Sequence, residues 1–375
     1  MLNFKQKPNE YSAEPINWLR LARTERIGPI TFKRLLTKFG TAEKALSALP
    51  HLSKAGGKQY DPASLSQIEQ ELEQLSKIGA EIITWNDPLF PEQLKAIDDA
   101  PVVLSLLGNA TLLKKKQIAI VGSRNASLNG RKFTSKLAAS AGKHDLIVTS
   151  GLARGIDAAA HEGALESGTI AVLAGGIDQI YPKENTKLYE VIKEKGLIIT
   201  ESAFGTAPSA HLFPRRNRIV SGLSQGVIVV EANERSGSLI TARLANEQGR
   251  EVMAVPGAPA DPRSSGPNKL IREGATLIRS IEDVMESVES IGGRQIPLFE
   301  QNNFVEESYE ETSFESIENI RDIILEQLTT YPLAVDELLQ SCHLSVSEGQ
   351  NALLALELAG RIQRLPGNRV CRIEE

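Results

Sequence analysis

The fold is decided by LIVTSGLARGIDAAAHEGALESGTIAVLAGG, residues 146–176, in which two apolar runs flank a helical segment. The runs 146–151 and 170–176 are rich in β-branched residues, and both end in glycine. The residues after Asp157 continue as a helix between them. A strand, a helix and a second strand predict a βαβ unit, in which the two strands run parallel.

The same alternation extends in both directions from this unit. Further β-rich runs lie at 81–85, 102–108, 118–123, 197–202, 227–232, 252–257 and 275–280, with helical segments such as 127–143 and 238–249 between them. Several runs are continuously apolar, as expected of parallel strands that are buried on both faces. The sequence therefore predicts an α/β fold with a doubly wound, mostly parallel sheet over residues 79–286.

The composition is that of an ordinary soluble globular protein of 375 residues, long enough for two to four domains. No run approaches the roughly 20 apolar residues of a membrane span, and MLNFKQKPNEYS lacks the apolar core of a signal peptide. We therefore expect a cytoplasmic protein. Cys342 and Cys371 are too few for a disulfide framework or a four-ligand zinc site.

The formal net charge of −5 is unevenly distributed along the chain. Residues 287–316 hold seven Glu against one Arg, and residues 317–375 hold nine acidic residues against five arginines. The rest of the chain is consequently mildly basic, so the overall charge does not exclude a nucleic-acid partner.

The first 78 residues are predicted to form a small helical domain. Residues 17–49 show apolar residues at helical spacing, interrupted by Ile27-Gly28-Pro29. This layout is typical of a helix-hairpin-helix unit, whose turn can offer backbone N–H groups to phosphates. A plain helical hairpin that packs or binds protein fits equally well.

Two further segments follow the predicted sheet. Residues 287–316 are acidic and lack sustained periodicity, which indicates a flexible linker. Residues 317–375 show three helical patterns and then RIQRLPGNRVCRI, which alternates like a β-hairpin, so we predict a winged-helix-like domain. Its expected reading helix, VSEGQNALLALELAG, has no Lys or Arg, and this favours a protein-contact or regulatory role over DNA binding.

Glycine-rich turns follow four of the predicted strands. They contain Gly122, Gly151, Gly155, Gly175, Gly176 and Gly237. In an open α/β sheet these turns converge at the carboxyl edge, where ligands bind. One such turn is usually only geometry, but these also carry Arg124 and Arg154. We therefore expect a cationic edge, rich in N–H donors, that suits a row of phosphates.

FPRRNRIVSGLSQ, residues 213–225, points to the same edge. Pro214 suits the first position of a helix, which places Arg215, Arg216 and Arg218 in the first turn. Because cations are disfavoured there, the three arginines require an anion. Asp157, Glu201 or Glu231 could neutralise one of them, and we expect at least one arginine to face a ligand, with alanine at Arg215 or Arg218 weakening binding but not the fold.

The sequence favours binding over catalysis. No metal-ligand spacing, Walker lysine pattern or nucleophile elbow occurs, so no metal, cofactor or catalytic residue is predicted. Asp157 and His161 lie one helical turn apart, which favours a capping aspartate paired with a histidine. The competing hypothesis is a nucleotide N-glycosidase that uses Glu231 or Asp157 as its working carboxylate at the same edge.

Several linked motifs resemble those of one known family. They are GSR (122–124), SGLARGIDAAAHEGAL (150–165), AGGIDQIYPKEN (174–185), FPRRNRIVSGLS (213–224), EANERSGSLITARLANEQGR (231–250), VPG (255–257) and GPNKLIREGA (266–275). In this order they resemble the DNA-processing protein A family (DprA, also called Smf). The resemblance covers residues 115–280, and the flanking helical and winged-helix-like domains fit the family's layout.

The resemblance implies a non-enzymatic, bacterial cytoplasmic protein with a Rossmann-like domain that binds single-stranded DNA. It also implies a homodimer formed through that domain, and loading of the RecA recombinase onto incoming DNA during natural transformation. The predicted DNA-binding residues are Gly122, Ser123, Arg124, Gly151, Arg154, Gly155, Gly175, Gly176, Lys183, Asn185, Phe213, Arg215, Arg216, Asn217, Arg218, Ser236, Gly237, Ser238 and Lys269. Because Tyr181 and Phe213 are the few aromatics near this edge, we expect phosphate contacts and salt dependence to dominate.

Overall fold

The computed structural model describes residues 13–56, 60–293, 314–328, 332–342, 344–365 and 368–373. By its internal contacts the chain divides into two compact units. The first comprises Met1–Tyr11 and Ser66–Leu298, and the second comprises Ser12–Leu65 and Phe299–Glu375.

The first unit is built on a nine-stranded sheet. Its strands are β1 (Glu81–Thr84), β2 (Val103–Gly108), β3 (Gln117–Val121), β4 (Ile147–Ser150), β5 (Thr169–Val172), β6 (Leu197–Thr200), β7 (Gly226–Val229), β8 (Glu251–Ala254) and β9 (Thr276–Leu277). They are ordered β1-β2-β6-β5-β4-β3-β7-β8-β9. β2 is antiparallel to both of its neighbours, and the pairs from β6 to β9 are parallel. This confirms the predicted mostly parallel sheet.

Helices cover both faces of this sheet. In the first unit they are α4 (Leu65–Lys77, from its second residue), α5 (Glu92–Lys95), α6 (Leu128–Lys143), α7 (Ile156–Ala164), α8 (Thr186–Lys195), α9 (Leu212–Leu223), α10 (Gly237–Glu247), α11 (Ser265–Arg272) and α12 (Ile281–Gly293).

The strands alternate their side chains between two apolar cores. Ala119 and Val121 of β3 pack in one core with residues of α9 and α10. Ile118 and Ile120 pack in the other core with residues of α6, α7 and α12. Successive strand residues point to opposite faces of the sheet, and both faces are covered by helices. A strand in this sheet must therefore be apolar at consecutive positions, which is the pattern of a doubly wound fold.

Three boundaries differ from the sequence-based expectations. Residues 66–78, predicted as the end of the N-terminal helical domain, belong to the sheet unit, where Glu71 of α4 accepts a hydrogen bond from Phe204 N at 3.4 Å. The run 275–280 contributes only the two-residue strand β9. The predicted linker 287–316 begins within α12, which continues to Gly293 because Val284 and Val288 are buried one turn apart in the second core. Residues 294–313 of that predicted linker lie outside the described residues.

The second unit contains three helices from the N-terminal part of the chain and three from the C-terminal part. Its helices are α1 (Ala13–Arg23), α2 (Pro29–Phe39), α3 (Ala42–Gly56), α13 (Phe314–Gln327), α14 (Val335–Ser341) and α15 (Val346–Leu358). A small sheet joins β10 (Leu333–Ala334), β11 (Ile362–Leu365) and β12 (Arg369–Arg372) in the order β10-β12-β11. Three helices followed by this hairpin confirm the winged-helix prediction.

Candidate nucleic-acid interface

The candidate site lies at the carboxyl edge of the first unit's sheet. From β3 to β6 the chain crosses the sheet in one direction, and β7 then returns to the other side of β3. Open α/β sheets bind ligands outside the carboxyl ends of their strands at such a reversal. The loops after β3, β4, β5 and β7 meet here, together with the start of α9.

α9 begins earlier than predicted. Its first residue is Leu212, with His211 as the N-cap, so Pro214 is the third helical residue and not the first. Arg215 follows in the second half of that turn and is exposed to solvent. It is the arginine of this segment that is placed to meet an external anion.

Arg218 is buried, which corrects the expectation that its charge is exposed. Its side chain is only 6% exposed. The guanidinium lies 2.5 Å from Glu201 through Nη2 and 3.3 Å from Asp99 through Nε. Glu201 follows β6 and Asp99 precedes β2, so Arg218 joins two loops. The predicted pairing of one arginine with Glu201 is thereby confirmed.

Arg216 is also buried, and its partners are main-chain groups. Its Nη1 donates hydrogen bonds to the carbonyl oxygens of Gly151 and Val172, which lie at the carboxyl ends of β4 and β5. Burial lowers the pKa of Arg216 to about 10, against the opposing effect of nearby Asp157. The guanidinium stays charged at neutral pH and holds two strand ends together.

Asp157 and His161 do not pair in the way that was predicted. Asp157 Oδ2 accepts hydrogen bonds from the N–H groups of Gly151 and Ala153, at 3.2 and 3.4 Å. His161 Nδ1 lies 2.8 Å from Thr169 Oγ1. Burial raises the pKa of Asp157 and lowers that of His161 to about 3. Both side chains therefore support the β4 loop and its helix.

The exposed cations of the site come from different loops. Arg124 follows β3, Lys183 lies in a short 3-10 helix after β5, and both are exposed. Arg154 is exposed beside Glu184, with 3.5 Å between Nη1 and Oε1. Lys269 is exposed on α11 and lies 3.8 Å from Glu273. Lys269 thus pairs within its own helix.

An aromatic pair lies among these cations. The ring centroids of Tyr181 and Phe213 are 5.6 Å apart, and the planes are tilted by 50°. The Arg124 guanidinium carbon lies 5.3 Å from the centre of the Phe213 ring. Because Tyr181 is 46% exposed, its ring offers an aromatic surface to a ligand.

The aromatic pair borders a small pocket. Its other lining residues are Gly151, Leu173, Ala174, Gly175, Gln179, Pro208 and Arg216. The loop after β6 contributes Pro208 to the pocket, and it is joined to the loop after β5 by a hydrogen bond from Gly176 N to Thr206 O at 2.8 Å. Sequence reasoning missed this loop and Gln179. Their only sequence signal was their position next to predicted strand ends.

Glycine is required at two predicted positions by close packing. A Cβ at Gly151 would overlap the Arg216 guanidinium, and Gly155 adopts a positive φ of 77° against the Ser123 carbonyl. Gly122, Gly175 and Gly176 likewise pack against neighbouring loops. By contrast, a Cβ at Gly237 would have no heavy atom within 4 Å, so that site is open.

The polar predicted residues connect the loops. Asn185 Nδ2 donates to the carbonyls of Leu152 and Ala153, at 2.9 and 3.1 Å, and Asn217 Nδ2 lies 3.4 Å from Gly237 O. In the remaining contacts, Ser123 N donates to Glu231 O at 2.6 Å, and Ser236 Oγ lies 2.7 Å from Ser238 Oγ. The structure therefore brings the predicted loops together, and the helix of Lys269 joins the loop after β7 through Gly266 N, which donates to Ala232 O at 2.9 Å.

Glu231, one of the two carboxylates named by the glycosidase hypothesis, binds the residue that caps the start of α6. It accepts hydrogen bonds from Ser127 N at 2.8 Å and Ser127 Oγ at 2.5 Å, where Ser127 caps α6. Over the described ranges, no group of three His, Cys, Asp or Glu side chains could hold a metal ion. No helix in the same ranges is long and apolar enough to cross a bilayer.

Profiles of known families match three parts of the chain. DNA recombination-mediator protein A matches residues 81–289, the DprA-like N-terminal HHH domain matches 12–73, and the DprA winged helix domain matches 311–368. The helix-hairpin-helix prediction is thereby confirmed at the level of the domain family.

Individual relatives agree with these matches. Protein Smf of Escherichia coli is 37% identical over 309 residues, which cover 81% of this chain and 80% of that protein. The X-ray structure of DNA processing protein A from Streptococcus pneumoniae gives a TM-score of 0.62 at 37% identity and covers 72% of this chain and 97% of that one.

A further solved structure concerns the single-stranded DNA binding mode of DNA processing protein A from Helicobacter pylori. It gives a TM-score of 0.53 at 30% identity and covers 58% of this chain and 98% of that one. With matching profiles at all three domains, the chain belongs to the DNA processing protein A family.

Proposed function

We propose that the carboxyl edge of the first unit's sheet binds single-stranded DNA without strong sequence preference. The observation that carries this proposal is the group of exposed cations, Arg124, Lys183 and Arg215, around the aromatic pair Tyr181 and Phe213. Cations from separate loops suit successive phosphates of a backbone, and exposed aromatic rings suit unpaired bases.

The buried arginines have a supporting role in this proposal. Arg216 holds the ends of β4 and β5 together, and Arg218 joins the loops that contain Glu201 and Asp99. Neither guanidinium is free to move toward a phosphate without leaving its partners. They therefore position the exposed residues, and most of the affinity comes from Arg124, Lys183 and Arg215.

Single-stranded DNA is favoured over duplex DNA by the exposed ring of Tyr181. Tyr181 is 46% exposed and offers a flat face on which one unpaired base can stack, next to a small pocket lined by Gly151, Gly175 and Arg216. In a duplex the bases are stacked and paired, and extruding one costs a few kcal/mol. The structure of the Helicobacter pylori relative concerns single-stranded DNA binding, which supports single-stranded DNA as the ligand.

We extend the proposal to the role of a recombination mediator, which the family description supports. In this role the protein, as a cytoplasmic homodimer formed through its Rossmann-like domain, protects incoming single-stranded DNA and loads the RecA recombinase. No enzymatic step is required. The engagement of Glu231 with Ser127 gives the nucleotide N-glycosidase hypothesis no support.

The test compares the two ends of one strand. Arg124 follows β3 at the carboxyl edge, whereas Lys115 precedes β3 at the amino edge and is equally exposed. Fluorescence anisotropy with labelled single-stranded and duplex oligonucleotides is measured for wild type, Arg124→Ala/Arg215→Ala and Lys115→Ala at two salt concentrations. We expect the double variant to lose at least about a hundredfold in single-strand affinity, since each charged hydrogen bond contributes about 1.5–3 kcal/mol.

The control variant should bind single-stranded DNA within about threefold of wild type, because it removes only long-range attraction. Equal losses in both variants would show nonspecific attraction and contradict a defined site. Absence of single-strand binding by the wild type would also contradict the proposal.

A further inference from the structure

α15 is buried on more sides than its own domain accounts for. Leu353 and Leu356 belong to the winged-helix core, together with residues of α13 and α14. Leu354 and Ala355 are also buried, yet they lie outside that core. A helix that is apolar around its circumference must be covered on several sides. A second structural element therefore covers the remaining side of α15.

That element is α3 of the N-terminal helical domain. α3 packs against α1 and α2 on one side and against α15 on another, within the second unit. In many winged helices the equivalent of α15 enters the DNA groove. Here this helix contacts the chain's own N-terminal helices, which gives its lack of Lys and Arg a structural reason.

Glu357 forms ion pairs with two arginines at this contact. Its Oε2 pairs with Arg34 Nη1 of α2, and Arg364 Nε of β11 lies 3.6 Å from the same oxygen. Arg364 Nη2 also donates to Gln350 Oε1 at 2.8 Å. One carboxylate thus separates two guanidinium groups that would otherwise repel each other.

The two domains that meet at this contact have opposite net charge. Residues 13–56 contain eight Lys and Arg against three Glu, whereas residues 317–375 contain nine acidic residues against five arginines. On α2, Lys38 lies one turn after Arg34 and therefore on the same side of the helix. Lys38 is partly buried, which lowers its pKa, and it adds a second cation to this side of α2.

We propose that the winged-helix domain is a tethered cover on a basic surface of the N-terminal helices, centred on Arg34 and Lys38, which binds nucleic-acid phosphates once α15 leaves it. Such a surface is independent of the aromatic pocket at the sheet edge. It would bind duplex DNA as well as single strands, because phosphates are recognised without regard to sequence or pairing. The proposal rests on the proposed function only in taking DNA as the ligand.

The test uses the full-length chain and Glu357→Gln, with Glu337→Gln as the matched control. Glu337 lies on α14 of the same domain and is exposed, so its substitution changes the net charge equally. Hydrogen exchange of the α3 amides measures the contact, and anisotropy of a labelled duplex oligonucleotide at low salt measures the uncovered surface. We expect faster α3 exchange and at least about a fivefold gain in duplex affinity for Glu357→Gln alone.

Two further variants distinguish DNA binding at the N-terminal helices from DNA binding at the sheet edge. Arg34→Gln should also accelerate α3 exchange but gain less duplex affinity, because it removes a proposed ligand of the phosphates. The gain from Glu357→Gln should persist in an Arg124→Ala/Arg215→Ala background, since the sheet edge is not involved. Unchanged α3 exchange in Glu357→Gln, or faster exchange without a gain in duplex affinity, would overturn the proposal.

Discussion

The arginine near the start of α9 and the arginines in the remainder of the same helix differ in burial. Arg215, near the start, is exposed, whereas Arg216 and Arg218 lie in the buried part of the helix with protein partners. All three were predicted to need an anion, but only Arg218 has carboxylate partners, whereas Arg216 donates to main-chain carbonyls. In this helix a buried arginine takes its acceptors from the protein, and the exposed Arg215 is left for a ligand.

Loss of a buried arginine should have the largest effect. Arg218→Ala removes the partner of Glu201 and Asp99, and Glu201 keeps a mostly buried carboxylate with 19% exposure. Breaking a buried pair from one side is strongly destabilising. We expect the free energy of unfolding to fall by about 3 kcal/mol, measured by urea denaturation.

The affinity of Arg218→Ala for single-stranded DNA, by contrast, should hardly change. At a temperature where Arg218→Ala remains folded, its affinity for single-stranded DNA should stay within about threefold of wild type, since a charge paired inside the protein contributes little at a distance. A large loss of affinity in a stably folded Arg218→Ala variant would show that this guanidinium contacts DNA after all.

The exposed arginine should show the reverse behaviour. Arg215→Ala is expected to leave the free energy of unfolding within about 0.5 kcal/mol of wild type. Its single-strand affinity should fall by about 1–3 kcal/mol, and the slope of log K against log salt should decrease by roughly one phosphate contact. An affinity loss with an unchanged salt slope would contradict a phosphate contact at Arg215.

The difference between these arginines was only partly readable from the sequence. Short β-rich apolar runs located all nine strands of the large sheet, because buried parallel strands need continuous apolar residues. The order of the strands then brought four loops to one edge. Glu201 was one of three candidate carboxylates, but neither its assignment to Arg218 nor the second partner Asp99 could be found in this way, since both lie in other elements of the fold.

Arg216 illustrates a second limit. Its partners are the main-chain carbonyls of Gly151 and Val172, and a carbonyl leaves no trace in residue identity. The glycine at 151 was noticed as a site that lets a ligand approach, but the group that approaches it is Arg216 itself. Such internal use of a glycine cannot be told from ligand binding without coordinates.

A smaller effect should come from the buried neighbours of Arg216, and it depends on pH. Thr169 Oγ1 donates to Val148 O at 2.6 Å, so it accepts from His161 Nδ1, which is the protonated nitrogen of a neutral ring. Burial lowers the pKa of His161 to about 3, and the charge of Arg216 acts in the same direction. His161 therefore binds a proton near pH 6.5 in the unfolded chain, whereas it stays neutral at this pH in the folded chain.

It follows that His161 reduces stability as the pH falls from about 6.5 toward 3, by on the order of 1 kcal/mol per pH unit. Asp157 acts in the opposite sense, because burial raises its pKa and the folded state then binds its proton more readily. Urea denaturation of wild type and His161→Gln between pH 7 and 5 isolates the histidine, and the stability of the wild type should fall relative to the variant. Parallel pH profiles would contradict a buried neutral His161.

The smallest expected effect concerns exposed backbone next to the start of α9. Gly237 is the first residue of α10, is exposed, and receives the Asn217 amide on its carbonyl at 3.4 Å. Because a Cβ there would meet no protein atom within 4 Å, Gly237→Ala should leave stability unchanged or raise it slightly through helix propensity. If backbone N–H groups at this helix start approach a phosphate, the added methyl group should still weaken single-strand affinity by about 0.5–1 kcal/mol. Anisotropy titration beside urea denaturation separates the two results, and an unchanged affinity would confine the interface to side-chain contacts from Arg124, Lys183 and Arg215.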